Sequence, residues 1–149
     1  MAELRGERTV EIEAPAERCF AIAADLERAP GWQRSLVSVT VAERDAEGRS
    51  AVVDTVFDAS VRTLRSRMRF RYDPPGAIAW AQERGDLKRL EGSWRFADAG
   101  DGRTRATYAL RVDPGRLLAM LLRGAVEERV RRALVDATAD GLKARAEGG

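Results

Sequence analysis

The chain has 149 residues, 44% of them apolar, a length that suits one domain with a buried core. Its 26 Lys and Arg nearly cancel 24 Asp and Glu, and a net charge of +2 does not make it a basic protein in the nucleic-acid sense. There is no histidine, which excludes a Ser-His-Asp triad, a His-ligated zinc and a histidine general base, and the lone Cys19 excludes an internal disulfide.

Met1 to Arg8 alternates charges and lacks the apolar stretch of a secretory leader. Thr9-Val10-Glu11-Ile12-Glu13 then alternates with period two, as a half-buried strand does, and Ala14-Pro15 opens a helix. Between Pro15 and Leu26 the positions Ala16, Cys19, Phe20, Ala23 and Leu26 recur at three and four, which predicts one buried helical face. Cys19 is expected there as a small buried hydrophobe, consistent with a reducing compartment. A second short turn from Asp25 is stopped by Pro30-Gly31, with Trp32 just beyond.

Period two governs the next eighty or so residues, broken at regular intervals by turn chemistry. Strands are predicted over Ser35 to Arg44, Arg49 to Asp58, Leu64 to Tyr72, Ala77 to Arg84, Arg89 to Ala97 and Arg103 to Val112. The first of these sets Val37, Val39 and Val41 on one face. After Asp113-Pro114-Gly115 the period becomes 3.6, with Leu118, Leu122, Ala125, Val126, Val130, Ala133, Leu134, Ala137 and Leu142 sharing a face, so one long helix is expected to close the chain. Strands joined by hairpins form an antiparallel sheet, and its apolar face needs that helix as a cover. Gly124, Ala125, Ala133, Ala137 and Gly141 are small, and facing a curved sheet they would leave a cavity or allow closer packing.

This order of elements resembles the helix-grip fold of the START-like (SRPBCC) superfamily, in particular the bacterial polyketide cyclase/dehydrase and lipid-transport family. The resemblance is carried by Val10 to Pro15, Asp25-Leu26, Pro30-Gly31-Trp32, Trp80 with Gln82, Leu90-Glu91-Gly92-Ser93-Trp94 and Asp101 to Tyr108. It implies a single α+β domain over residues 1–149: a seven-stranded curved antiparallel sheet wrapped on a long C-terminal helix, with two short helices after the first strand. It also implies a deep apolar pocket between sheet and helix, with Trp32 at its mouth. Function does not follow from the fold, since such domains include ligand carriers, aromatase/cyclases and others.

The alternation turns Phe57, Met68, Phe70, Tyr72, Ile78, Trp80, Trp94, Phe96 and Tyr108 inward, opposite Leu118 and Leu122. Such a chamber suits an apolar organic ligand, and it is equally what a sheet buries against a helix. Thr55, Ser66, Tyr72, Gln82, Arg84 and Tyr108 add polar groups on that face; Tyr72, Gln82, Arg84 and Tyr108 are expected to orient a ligand, unless pairs such as Gln82 and Tyr108 satisfy one another. Tyrosine and arginine could protonate and stabilise an enolate, as polyketide cyclisation or dehydration needs, yet no carboxylate or histidine base falls there. Binding is therefore favoured over catalysis, and no catalytic residue, metal or cofactor is assigned. Arg65, Arg67, Arg69 and Arg71 form a ladder on the opposite face, read as a self-paired surface rather than a nucleic-acid site, because Asp54 and Asp58 share it.

Leu117 to Leu122 is apolar around the whole helix circumference and far too short to span a bilayer. A pocket lip, a homodimer contact or a neighbouring loop would cover it. The leading expectation is a cytoplasmic domain that binds a small hydrophobic molecule, polyketide-like, aromatic or lipidic. A cofactor-independent cyclase/dehydratase and a protein-interaction module with a filled core are the alternatives.

Overall fold

The computed structural model describes residues 3–148. Alternation of apolar and polar residues produces seven strands: β1 (Leu4–Ile12), β2 (Leu36–Arg44), β3 (Ser50–Asp58), β4 (Thr63–Asp73), β5 (Ala77–Gly85), β6 (Arg89–Gly100) and β7 (Arg103–Asp113). They form one antiparallel sheet in the order β1-β7-β6-β5-β4-β3-β2. Every pair but one is a simple hairpin; β1 crosses to the far edge and pairs with β7, Leu4 opposite Val112 and Ile12 opposite Thr104.

The connection between β1 and β2 holds helix α1 (Ala16–Ala24) and a 3-10 segment, Leu26–Gly31, which cover part of the concave face. Cys19, Phe20 and Ala23 are the buried stripe of α1, as the three-and-four spacing requires. Burial pushes the Cys19 thiol above its ordinary pKa, so it serves as packing rather than as a nucleophile. Thr104 on β7 donates its hydroxyl to the Ala14 carbonyl at 2.6 Å and fixes the point where β1 gives way to α1.

The C-terminal region differs from the uninterrupted helix expected after Gly115. Arg116–Ala119 is a single turn, α2, and the chain then breaks at Gly124, whose φ of +54° lies where only glycine is at ease. Helix α3 (Ala125–Arg131) continues through a π turn, Arg132–Asp136, into α4 (Ala137–Glu147). The π turn admits an extra residue and rotates the buried face: Val130, Leu134, Val135, Thr138, Ala139, Leu142 and Ala146 are buried, whereas Ala133 and Ala137 are only half-buried. Gly124 and Ala125 are exposed, so they do not face the sheet. Gly6 on β1 makes room for this packing, since a Cβ there would stand 2.7 Å from a Val135 methyl.

The last turn is stitched to the β1–α1 corner. Glu147 Oε2 accepts the Glu13 amide at 2.8 Å and the Lys143 ammonium at 2.7 Å, while Arg18 donates to the Ala146 carbonyl at 2.9 Å. On the convex face Arg67 forms a two-pronged pair with Asp54, both contacts 2.8 Å, and Arg69 reaches Glu83 at 2.7 Å. The hydrogen bonds from Arg67 hold the Asp54 carboxyl below its ordinary pKa. Asp58 is not part of this pairing; its carboxylate accepts the Ser60 amide. Among the described residues, no helix is long and apolar enough to cross a membrane.

Candidate functional site

The concave face does not meet its cover everywhere. A cavity of about 80 Å³ remains, floored by β3 to β7 and bounded by the edge strand β2, by Ala23 and Leu26, by the stretch Trp32 to Leu36, and by Leu134 from the π turn. None of its lining residues carries a charge. Trp32, Trp80 and Trp94, the chain's three tryptophans, all line it. Tyr108 sits against two of them, its ring centroid 4.7 Å from that of Trp94 and 5.6 Å from that of Trp80.

The cavity exists because of local choices along the strands. Trp80 stands opposite Gly92 in the β5–β6 ladder, and a Cβ at residue 92 would come within 2.5 Å of the indole. Glycine there lets the ring lie down on the sheet instead of standing into the space above it. Phe70 stacks on Trp80 at 5.3 Å and extends the same aromatic floor. Burial drives the Tyr108 phenol well above its ordinary pKa, so at neutral pH it is a neutral hydrogen-bond donor.

A second apolar space of about 30 Å³ lies beyond the first, lined by Leu4, Leu64, Leu87, Val112, Leu118, Leu121, Leu122 and Val130 among others. Phe57 and Leu134 belong to both walls and form the partition between the two chambers. Beside the second chamber Leu117, Met120 and Leu121 are exposed, at 81%, 65% and 52%, and no described residue covers them.

Of the residues expected at a ligand site, Trp32, Phe57, Met68, Phe70, Trp80, Trp94 and Tyr108 line the first chamber. Leu118 and Leu122 line the second, because the break at Gly124 separates them from the helix that caps the first. Ser66 and Gln82 point inward but are occupied: the Ser66 hydroxyl donates to Gln82 Oε1 at 2.9 Å, and Gln82 Nε2 donates to the Leu87 carbonyl at 2.8 Å. Gln82 therefore pairs with Ser66 and Leu87, not with Tyr108. Tyr72 lies outside the cavity lining; its hydroxyl donates to the Ser50 carbonyl at 2.7 Å and its ring stands near Phe20 and Arg49.

Arg84 is corrected outright: it is exposed and stands opposite Arg67 on the convex face. The cause is a bulge at Glu83, where Arg67 pairs with Arg84 and Met68 with Gln82, so the period-two phase slips by one residue. A similar shift between Leu36 and Ser38 puts Leu36 and Val39 in the cavity wall and leaves Val37 58% exposed. Sequence reasoning also missed Gln33, Ser35 and Leu134 as lining residues, and of the small helical residues expected to shape the cavity none lines it. Ala137 and Gly141 instead border a shallow outer groove with Trp32. Among the described residues no group of His, Cys, Asp or Glu is arranged to hold a metal ion.

A family model described as polyketide cyclase/dehydrase and lipid transport matches residues 12–139. Among solved structures, a START superfamily protein from Mycobacterium smegmatis superposes with a TM-score of 0.83 at 19% identity, covering 97% of both chains. A Thermus thermophilus protein gives 0.80 at 26% identity, again with 97% of both covered. The Zhui aromatase/cyclase of Streptomyces sp. R1128 gives 0.75 at 22% identity, covering 97% of this chain and 96% of that one. A comparison with curated proteins gives no match. The family match runs from the end of β1 into α4 and so takes in every strand that floors the cavity; the chain belongs to the polyketide cyclase/dehydrase and lipid transport family, whose fold implies a pocket for hydrophobic ligands.

Proposed function

We propose that the protein binds a small, predominantly apolar molecule in the chamber between the sheet and the C-terminal helix. The observation that carries this reading is a partly open apolar chamber walled by three tryptophans and a tyrosine without a single charged group. Such walls favour apolar burial, worth roughly 25 cal/mol for each Å² removed from water. At about 80 Å³ the chamber is smaller than the cavity of about 150 Å³ that accommodates benzene in a well-studied case, so a ring-sized ligand enters only as side chains give way. Phe57 and Leu134 are the ones with space behind them.

Catalysis is the weaker reading. Tyr108 could act as a proton donor, but the wall offers no carboxylate or imidazole to take a proton away. The aromatase/cyclase likeness concerns the fold alone at its level of identity. A carrier or sensor needs only the chamber.

Toluene is a suitable first probe, followed by methyl NMR of Met68, Leu110 and Leu134. Saturable shifts confined to these walls are expected, together with their loss in Val39→Trp, which plugs the chamber from its half-buried edge. Unmoved methyl resonances at saturating toluene would overturn the reading and leave a filled core serving protein contacts.

A further inference from the structure

Trp32 is only 9% exposed, and its indole Nε1 has no hydrogen-bond partner. Among the described residues only one other buried side-chain nitrogen or oxygen shares that condition, Arg103 Nε, on a side chain that already reaches Glu11 through Nη1. Buried donors are paired in the great majority of cases, and one left unpaired is a standing penalty that a bound acceptor removes.

The ring's position narrows where that acceptor would sit, and because Nε1 itself has almost no accessible surface, an acceptor reaches it only as neighbouring side chains give way. The Cε3 edge of Trp32 lies against Gly141 of α4, 3.6 Å from where a Cβ would stand. Nε1 is on the opposite edge of an indole, so it is turned away from α4. Trp32 also lines the chamber, its centroid 6.5 Å from that of Trp94. Gln33, Ser35 and Tyr108 place further polar groups in this chamber, whereas the second chamber beyond Phe57 is hydrocarbon apart from Arg62 at its rim.

Building on the proposed binding role, we infer that the ligand is a neutral molecule with an oxygen acceptor, a ketone or ether on an apolar ring or chain, whose oxygen accepts the Trp32 Nε1 proton while its hydrocarbon body points toward Phe57 and Leu134. Neutrality follows from the walls: an anion buried there would meet no cation, and an ammonium no carboxylate. The site thus combines one polar end with an apolar run, and discriminates by the acceptor rather than by charge.

Acetophenone and α-methylstyrene test this, because they share a shape and differ in a carbonyl oxygen against a methylene. Their affinities are measured by NMR titration of the wild-type protein and of Trp32→Phe. The wild-type preference for acetophenone should fall about 5- to 10-fold in the variant, the size of one neutral hydrogen bond. In wild-type protein the Trp32 indole N–H resonance should move downfield with acetophenone and not with α-methylstyrene, a readout that does not depend on the variant folding. If both compounds bind while the preference and the N–H resonance stay unchanged, the acceptor assignment is overturned and the binding reading stands. If neither binds, the binding reading itself fails and takes the assignment with it.

Discussion

Tyr72 and Tyr108, in one row across the sheet with Ile78 and Trp94 between them, show how positions on one face acquire different roles. Both phenols are pushed above their ordinary pKa by burial, but the Tyr72 hydroxyl donates to the Ser50 carbonyl, while Tyr108 lies fully within the aromatic floor of the chamber. A folded-state pKa raised above the ordinary value of 10.0 gives stability that is complete below pH 10 and is lost as pH rises beyond it, because the unfolded chain then ionises first. Tyr108→Phe should therefore change stability at pH 7 by less than about 1 kcal/mol, since it removes no pairing needed by the fold. Thermal unfolding followed from pH 9 to pH 12 should show a shallower alkaline decline in this variant than in the wild type. An equally steep decline would place the sensitivity elsewhere. Alternation in β4 and β7 announces both tyrosines as inward-facing, but nothing in the spacing tells which of them meets a carbonyl and which meets a cavity.

At the level of elements, the seven strands and α1 are legible because period two and the three-and-four spacing have a direct physical cause in which side chains face water. What escapes is any one-residue slip. The bulge at Glu83 sends Arg84 outward, the shift near Val37 exposes a valine, and the π turn exchanges Ala133 and Ala137 for Val135 and Ala139 at the sheet. Each depends on packing with a partner distant in sequence, as Gly6 against Val135 illustrates. The docking of α4 is likewise long-range. Hydrogen bonds from Lys143 and then from the Glu13 amide hold the Glu147 carboxyl below its ordinary value of 4.5, so their contribution is present above that pH and disappears as pH falls through the lowered value. Glu147→Gln should speed hydrogen exchange of the Glu13 amide at neutral pH, at a stability cost under about 1 kcal/mol for so exposed a group. The difference between variant and wild type should vanish in acid; if it persists there, the carboxylate is not what pins the helix end.

For the molecule as a whole, the order of β2 to β7 and the covering helix follow from hairpin connections and the late change of period, whereas the two chambers do not. Their separation depends on Phe57 from β3 meeting Leu134 from the π turn, a contact that neither segment reveals alone. Leu134→Ala should join the chambers and, as for other large-to-small changes in cores, destabilise the protein by about 2–4 kcal/mol. The merged space should then favour an elongated molecule: n-butylbenzene should restore more of the lost melting temperature than toluene does. Equal restoration by both would mean that the second chamber stays closed off.

The placement of every tryptophan around one chamber also gives the protein an optical property. Excited-state emission from the whole chain originates beside the same small volume, with no indole elsewhere to contribute a constant background. Arrival or departure of a guest thus alters the entire near-ultraviolet signal at once, and the unlabelled chain reports its own occupancy.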